Sequence, residues 1–333
     1  MATTYYKAGV NIAAGDGFVD RIKKKVRSTF SPSVLNDIGL FGAIYDANFR
    51  RIKNPVLISS VDGVGTKLKV AFLLEKHDTI GQDLVNHCVN DIAVCGAKPL
   101  FFLDYFATSK LNLAVAESVI SGMVKSCREN QCSLIGGETA EMPGFYREGE
   151  YDLAGMIVGV AERNKIFDGK RVQPGDVLIG LPSSGLHTNG YSLARTILFE
   201  RFEVDDYVDE LEMRVGEALL SIHRSYLKII QTLIKYTELH AMSHITGGGI
   251  LGNTMRVVRK GLSARIDWHS WERPPVFNLI QKFGNVPETD MRKTFNLGVG
   301  IVFVVSKNGA DKLIRVCRKN GEHAMIIGEV VKK

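Results

Sequence analysis

The chain has 333 residues, 45% of them hydrophobic and 23% charged, a composition ordinary for a soluble globular protein and a length that points to two domains. The formal net charge of +6 is spread along the sequence apart from Arg21–Arg27, a run that reads better as the solvated face of a helix than as a phosphate contact, and without an RNA-binding signature nucleic acid is not an expected partner. No apolar stretch approaches the roughly 18 residues of a membrane span, the amino terminus lacks the apolar core of a signal peptide, and five cysteines, odd in number, read as reduced core thiols of a cytoplasmic protein.

In chain order, Val56–Val61 is a short apolar run with β-branched residues, predicted as a buried strand. It breaks into Asp62-Gly63-Val64-Gly65-Thr66-Lys67. Two glycines let the backbone come close to a ligand, and an acid, a hydroxyl and a lysine suit a metal and a charged oxygen. The order is not that of a Walker A loop, which ends Gly-Lys-Ser/Thr. Taken alone, the loop reads equally well as a plain strand-to-helix turn. Asp78–Cys95 is predicted as a helix whose Val85, Cys88, Val89 and Ile92 face the core. Asp83, His87, Asn90 and Asp91 fall on the opposite stripe. That stripe could be a platform for a hard cation, but spacing alone slightly favours a solvated face with His87 as a bystander.

Leu100–Ala107 is a predicted strand, Leu113–Glu129 a helix and Ser133–Ile135 a strand. The last ends in Gly136-Gly137-Glu138-Thr139-Ala140-Glu141-Met142-Pro143-Gly144. Paired acids after two glycines look like a metal or ribose contact, or else a helix start. Pro143-Gly144 argues against a long helix, so a functional loop is expected. Asp152–Ala161 is the fourth strand of this half, and the polar, turn-rich Asn164–Arg171 a linker, which sets domains at 1–168 and 169–333.

In the second half a strand, Val177–Leu181, leads into Ser183-Ser184-Gly185-Leu186-His187-Thr188-Asn189-Gly190-Tyr191-Ser192 and then a helical pattern. Backbone amides at such a helix start suit an anion. His187, flanked by glycines and polar residues, is the histidine expected to touch substrate. Leu211–Tyr236 reads as the longest helical stretch of this half. His244–Leu251 repeats strand, glycine loop and helix; its three glycines suit either a bound phosphate or tight strand-to-helix packing. Val299–Val305 and Ala324–Val330 are late strands. The expected fold class is α/β in the mixed α+β sense, in two domains.

Together, Asp62–Leu68, Val89-Asn90-Asp91, Gly136–Gly144, Ser183–Ser192 and His244–Gly249 occur in the order seen in aminoimidazole ribonucleotide synthetases, also called phosphoribosylformylglycinamidine cyclo-ligases. The resemblance runs from Tyr6-Lys7-Ala8-Gly9-Val10 to about Gly328 and is very specific. Leu186 departs from it, since many relatives carry Pro there. The resemblance implies two α/β domains and a homodimer whose amino-terminal strands join into a barrel. It implies ATP and magnesium as cofactors, and formylglycinamidine ribonucleotide as the small-molecule substrate closed to an imidazole. Asp62, Asp91 and, more weakly, Glu138 are then the expected magnesium ligands. Lys67 would neutralise phosphate charge, with Asp62 and His187 the other catalytic residues. Gly63, Gly65, Thr66, Asn90, Asp91, Gly137, Glu138 and Thr139 would meet the nucleotide. His187, Thr188, Asn189, Gly247 and Gly248 would meet the substrate, and Lys7–Gly15 would cover the nucleotide. The same superfamily holds selenophosphate and formylglycinamidine ribonucleotide synthetases, and a non-catalytic nucleotide-binding scaffold is the rival from another class.

Overall fold

The computed structural model describes residues 12–333, so most of the expected Lys7–Gly15 cover lies outside the described residues. The chain divides into two compact units, one of residues up to Ile92 with Lys98–Arg163, the other of Ala93–Ala97 with Asn164–Lys333.

The first unit begins with α1 (Ile12–Arg27), which buries Phe18, Ile22 and Val26 at helical spacing. The basic run lies along its outer side, where Lys23 and Arg27 pair with Asp37 and Lys25 with Glu117. Then come β1 (Pro55–Gly63), α2 (Leu68–Leu73), α3 (Asp78–Ala93), β2 (Lys98–Thr108), α4 (Leu113–Glu129), β3 (Ser133–Glu141) and β4 (Tyr151–Glu162). Their sheet has the order β1-β4-β2-β3, with only β2 and β3 parallel.

Two expectations change here. β3 does not stop at Ile135, and Gly136–Glu141 is strand rather than loop, because it continues the ladder with Leu103–Thr108 of β2 across a bulge. Pairing satisfies backbone groups that a loop would leave to water. Nor does α3 have a solvated face. Asp83, His87 and Asn90 are 0%, 5% and 0% exposed, so the polar stripe is buried with its own partners.

The second unit contains β5 (Val177–Pro182), α5 (Tyr191–Leu198), the small hairpin β6 (Tyr207–Val208) and β7 (Met213–Arg214), α6 (Val215–Leu219) and α7 (Leu227–Leu233). It continues with β8 (Leu239–His244), α8 (Gly249–Met255), β9 (Leu262–Ile266), α9 (Pro275–Gly284), α10 (Glu288–Thr294), β10 (Val299–Val305), α11 (Ala310–Lys319) and β11 (Met325–Lys332). The five-stranded sheet is antiparallel, ordered β8-β10-β5-β11-β9. Every residue of β10 is buried; Val302 and Val304 join Leu178, Ala241 and Ile327 in the core.

The long helix expected over Leu211–Tyr236 is not there. The hairpin takes its start, and residues 220–226 break it between α6 and α7. Tertiary bonds hold the break: Tyr226 Oη donates to Pro182 O at 2.8 Å and Ser184 Oγ to Ile222 O at 2.5 Å. Among the described residues no helix is long and apolar enough to cross a membrane, and all five cysteines are free thiols.

Candidate active site

Alternation along β1 turns Ser60 and Asp62 to the same face, the one that α3 covers. Ser60 Oγ lies 3.2 Å from Asp62 Oδ2 and 3.0 Å from Asp91 Oδ2. His87, one turn before Asp91 on α3, brings Nε2 to 3.5 Å from Asp62 Oδ1, so it is a neighbour of the acids and no bystander. Two carboxylates and a hydroxyl are hard oxygen donors of the kind magnesium takes, and this set fits such an ion. Ser60 was not legible as part of the site, although its i, i+2 relation to Asp62 on a strand was the available signal.

At and beyond the end of β1, Gly63, Gly65 and Thr66 are exposed, and Gly65 takes φ +61°, the left-handed region that favours glycine. Lys67 corrects an expectation. Its side chain has no exposed surface and its Nζ sits 2.8 Å from Asp83 Oδ2, also unexposed. Burial lowers its pKa, opposed by the Asp83 charge. It anchors the turn from within, where the expected phosphate-neutralising charge meets Asp83. Asn90, another expected nucleotide contact, is likewise buried, at 0% exposure.

Glu138 is corrected as a third ligand beside Asp62. In the ladder Asp62 pairs with Gly155, Gly155 with Asp104, and Asp104 with Gly137. Glu138 therefore stands on the opposite edge strand, three strand spacings or about 14 Å away, whereas a hard cation needs its oxygens within about 2.6 Å. Gly137, Glu138 and Thr139 instead line a cavity of about 590 Å3 together with Phe18, Leu103 and Asp104. Burial pushes the Asp104 carboxyl up to about 7, and a Cβ on Gly137 would come within 2.4 Å of its Oδ1.

In the second unit the loop after β5 meets the loop after β8. His187 takes φ +61° and has no exposed surface; its Nε2 accepts from Ser184 N at 3.3 Å. His187, expected to touch substrate, thus lies inside the loop and braces it through Ser184. Thr188 is buried to 9% exposure, and Asn189 is half-buried, its Nδ2 a buried donor without an acceptor among the described residues. Gly247 comes beside Asn189, since a Cβ on it would lie 3.3 Å from Oδ1. Gly247 and Gly248 are exposed. Gly249 answers to packing: a Cβ there would come within 1.8 Å of Arg292 O.

The AIR synthase related protein N-terminal domain family matches residues 44–161, and its C-terminal domain family matches residues 173–333. This chain belongs to the AIR synthase-related family. It is 50% identical over 329 residues, 98% of the chain and 97% of the relative, to a phosphoribosylformylglycinamidine cyclo-ligase of Thermoanaerobacter pseudethanolicus. It is 52% identical, over 99% of the chain and 96% of the relative, to one of Sorangium cellulosum. The fold of this AIR synthase-related protein is also that of a thiamine-monophosphate kinase from Stenotrophomonas maltophilia, with TM-score 0.72 at 17% identity over 95% of this chain and 93% of that one. Hydrogenase maturation protein HypE, solved in complex with ATP, matches with TM-score 0.69 at 19% identity over 99% and 90%.

Proposed function

We propose that this AIR synthase-related protein is an ATP-dependent cyclo-ligase of de novo purine biosynthesis. It closes formylglycinamidine ribonucleotide to 5-aminoimidazole ribonucleotide with release of ADP and phosphate. The observation that carries this is the 50% identity along 98% of the chain to proteins of that name.

An amide oxygen is a poor leaving group, and transfer of the terminal phosphoryl group of ATP to the formyl oxygen makes it a good one. The amidine nitrogen then attacks the formyl carbon within the same molecule, where proximity lowers the entropic barrier. Such chemistry asks for positioning and cation clamps more than for a protein nucleophile. Magnesium, when bound, supplies charge neutralisation for the phosphates. Asp62 and Asp91 would hold it, with Ser60 between them donating to one carboxylate at a time. Gly63, Gly65 and Thr66 offer backbone and hydroxyl contacts on the exposed side of the turn that Lys67 anchors. Thr188, Asn189, Gly247 and Gly248 hold the substrate, with His187 bracing their loop.

The cavity beside Gly137–Thr139 and the carboxylate pair stand at opposite edges of one sheet. A homodimer that joins two such sheets is the arrangement this reading favours. The uncovered sheet face supports it: Leu57, Val61, Tyr105 and Met156 share that face by register and are 65%, 63%, 38% and 38% exposed, an apolar patch of the kind that marks an interface. Five free thiols fit the reducing cytoplasm.

The test is phosphate release from ATP with and without formylglycinamidine ribonucleotide. Release that depends strictly on that substrate and yields an aromatic amine supports the cyclo-ligase. Absence of release favours a nucleotide-binding scaffold and overturns it.

A further inference from the structure

Three histidines from separate elements meet inside the second unit. His187 follows β5, His223 sits in the break between α6 and α7, and His244 ends β8; they are 0%, 0% and 5% exposed. Each offers a ring nitrogen, and these nitrogens lie within 4.8 Å of one another. The function proposed above uses only His187, as a brace.

By composition the trio is a zinc-type donor set, but orientation argues against one ion shared by all three. An imidazole binds a metal along a lone pair in its ring plane. The rings of His187 and His223 are stacked, with centroids 3.9 Å apart and planes 16° from parallel. No point at bonding distance lies in both planes.

The same geometry does accommodate a proton. His223 Nε2 is 3.0 Å from His244 Nε2. Two ring nitrogens at that distance in a buried place hold one hydrogen between them, because two facing lone pairs or two facing N–H groups would repel. The other nitrogen of His223, Nδ1, is 3.4 Å from Thr188 Oγ1. The hydrogens along this chain can run either way. In one sense the Thr188 hydroxyl donates to His223 Nδ1 and His223 Nε2–H donates to His244. In the other, His244 donates to His223 and His223 donates to Thr188. Both patterns keep each link hydrogen-bonded, so a proton taken up at one end is passed to the other without movement of a side chain. Gly300 makes room for the stack, since a Cβ there would come within 2.7 Å of His187 Cε1 and 1.9 Å of Tyr226 Oη.

We propose that Thr188, His223 and His244 form a buried proton relay that serves ring closure, with His223 as its positioning residue. This rests on the cyclo-ligase reading and on Thr188 facing the substrate. In ring closure the amidine nitrogen forms a C–N bond to the formyl carbon. The bond from that carbon to the phosphorylated oxygen breaks, and its electron pair leaves with phosphate. The nitrogen sheds one N–H proton, which Thr188 Oγ1 accepts as its own hydroxyl proton passes to His223 Nδ1. The Nε2 proton of His223 passes in turn to His244 Nε2, which completes the balance.

The test compares wild type with His223→Phe and His223→Ala. Phe keeps a ring to stack on His187 but carries no proton, so kcat falls about 100-fold, the scale of a lost acid–base function, while KM for formylglycinamidine ribonucleotide stays near the wild-type value. Added imidazole restores turnover to the Ala variant, which has a space for it, and not to the Phe variant. Equal thermal midpoints guard against a mere folding defect; should the Phe variant unfold, the imidazole response of the Ala variant decides. Nitrogen-15 NMR of labelled histidines should show one proton shared by the two Nε2 atoms. Wild-type kcat in the Phe variant, or no imidazole response in an inactive Ala variant, overturns the relay alone. A wild-type protein without substrate-dependent phosphate release overturns the cyclo-ligase reading, and the part of the relay in it.

Discussion

Asp62 on β1 and Asp91 on α3 converge on one hydroxyl, with Ser60 Oγ 3.2 Å from the first carboxylate and 3.0 Å from the second. A hydroxyl has one proton to donate, so it serves one carboxylate at a time and leaves the remaining oxygens to a cation. Asp62→Asn and Asp91→Asn should each abolish ATP-dependent cyclisation while the protein keeps its fold. Ser60→Ala should keep turnover but raise the magnesium needed for half-maximal rate by about 10-fold, the lower end of outer-partner effects. Magnesium titrations of the steady-state rate check this, and wild-type turnover in Asp62→Asn sinks the metal role.

Lys67 and Asp83 are fully buried and 2.8 Å apart. Removal of one partner strands a charge in the interior, at a cost of about 3–5 kcal/mol. Lys67→Met should therefore destabilise strongly in chemical denaturation. The double variant Lys67→Met with Asp83→Leu should recover most of the loss, since a well-packed apolar pair can replace a buried ion pair. A single variant as stable as wild type would show that the pair contributes little.

The Asp104 carboxyl, raised to about 7 by burial, gives a pH dependence with a definite sign. Its unfolded value is near 3.9, so between about pH 4 and 7 the folded state binds the extra proton. This group therefore favours the fold most at low pH, and that contribution is lost as pH rises through 7. Asp104→Asn should match or exceed wild-type stability at pH 8, and the difference should shift toward the wild type as pH falls to 5. Gly137→Ala, whose Cβ would press to within 2.4 Å of the same carboxyl, should cost about 1–3 kcal/mol as overpacking does. Urea midpoints across pH, compared between variants and wild type, measure both.

Leu57 and Val61 are 65% and 63% exposed on one sheet face. If that face joins two copies, Val61→Glu should turn a dimer into a monomer in sedimentation and lower activity with it, because burying an unpaired carboxylate is costly. A wild type that sediments as a monomer at micromolar concentration would remove the dimer from the proposed function.

Much of this was legible in local sequence. Val56–Val61 with its Asp-Gly-Val-Gly-Thr-Lys exit, the α3 pattern, and the strand, glycine loop and helix of His244–Leu251 all appear as elements where periodicity and breakers placed them, but Val56–Val61 is a half-exposed edge strand and not the buried one expected. The failures share one cause. Gly136–Glu141 reads as a loop because Pro143-Gly144 argues against a helix there, yet a parallel neighbour makes it strand. Residues 220–226 read as helix, yet Tyr226 bonds to Pro182 at the end of β5 and Ile222 to Ser184, two residues beyond it. The polar stripe of α3 reads as solvated, yet Asp83 is matched by Lys67 from another element.

The sequence by itself determined the family, the kinds of chemical group at the site and the order in which they arrive, because motif identity and spacing are local properties of the chain. Only the tertiary structure decided which groups meet. It gathered Asp62 with Asp91 around Ser60, moved Glu138 to the far edge of the sheet, sank Lys67 and His187 into the interior, and set His223 between Thr188 and His244. Strand register and the burial of paired charges are properties of neighbours distant in sequence, and no window along the chain contains them.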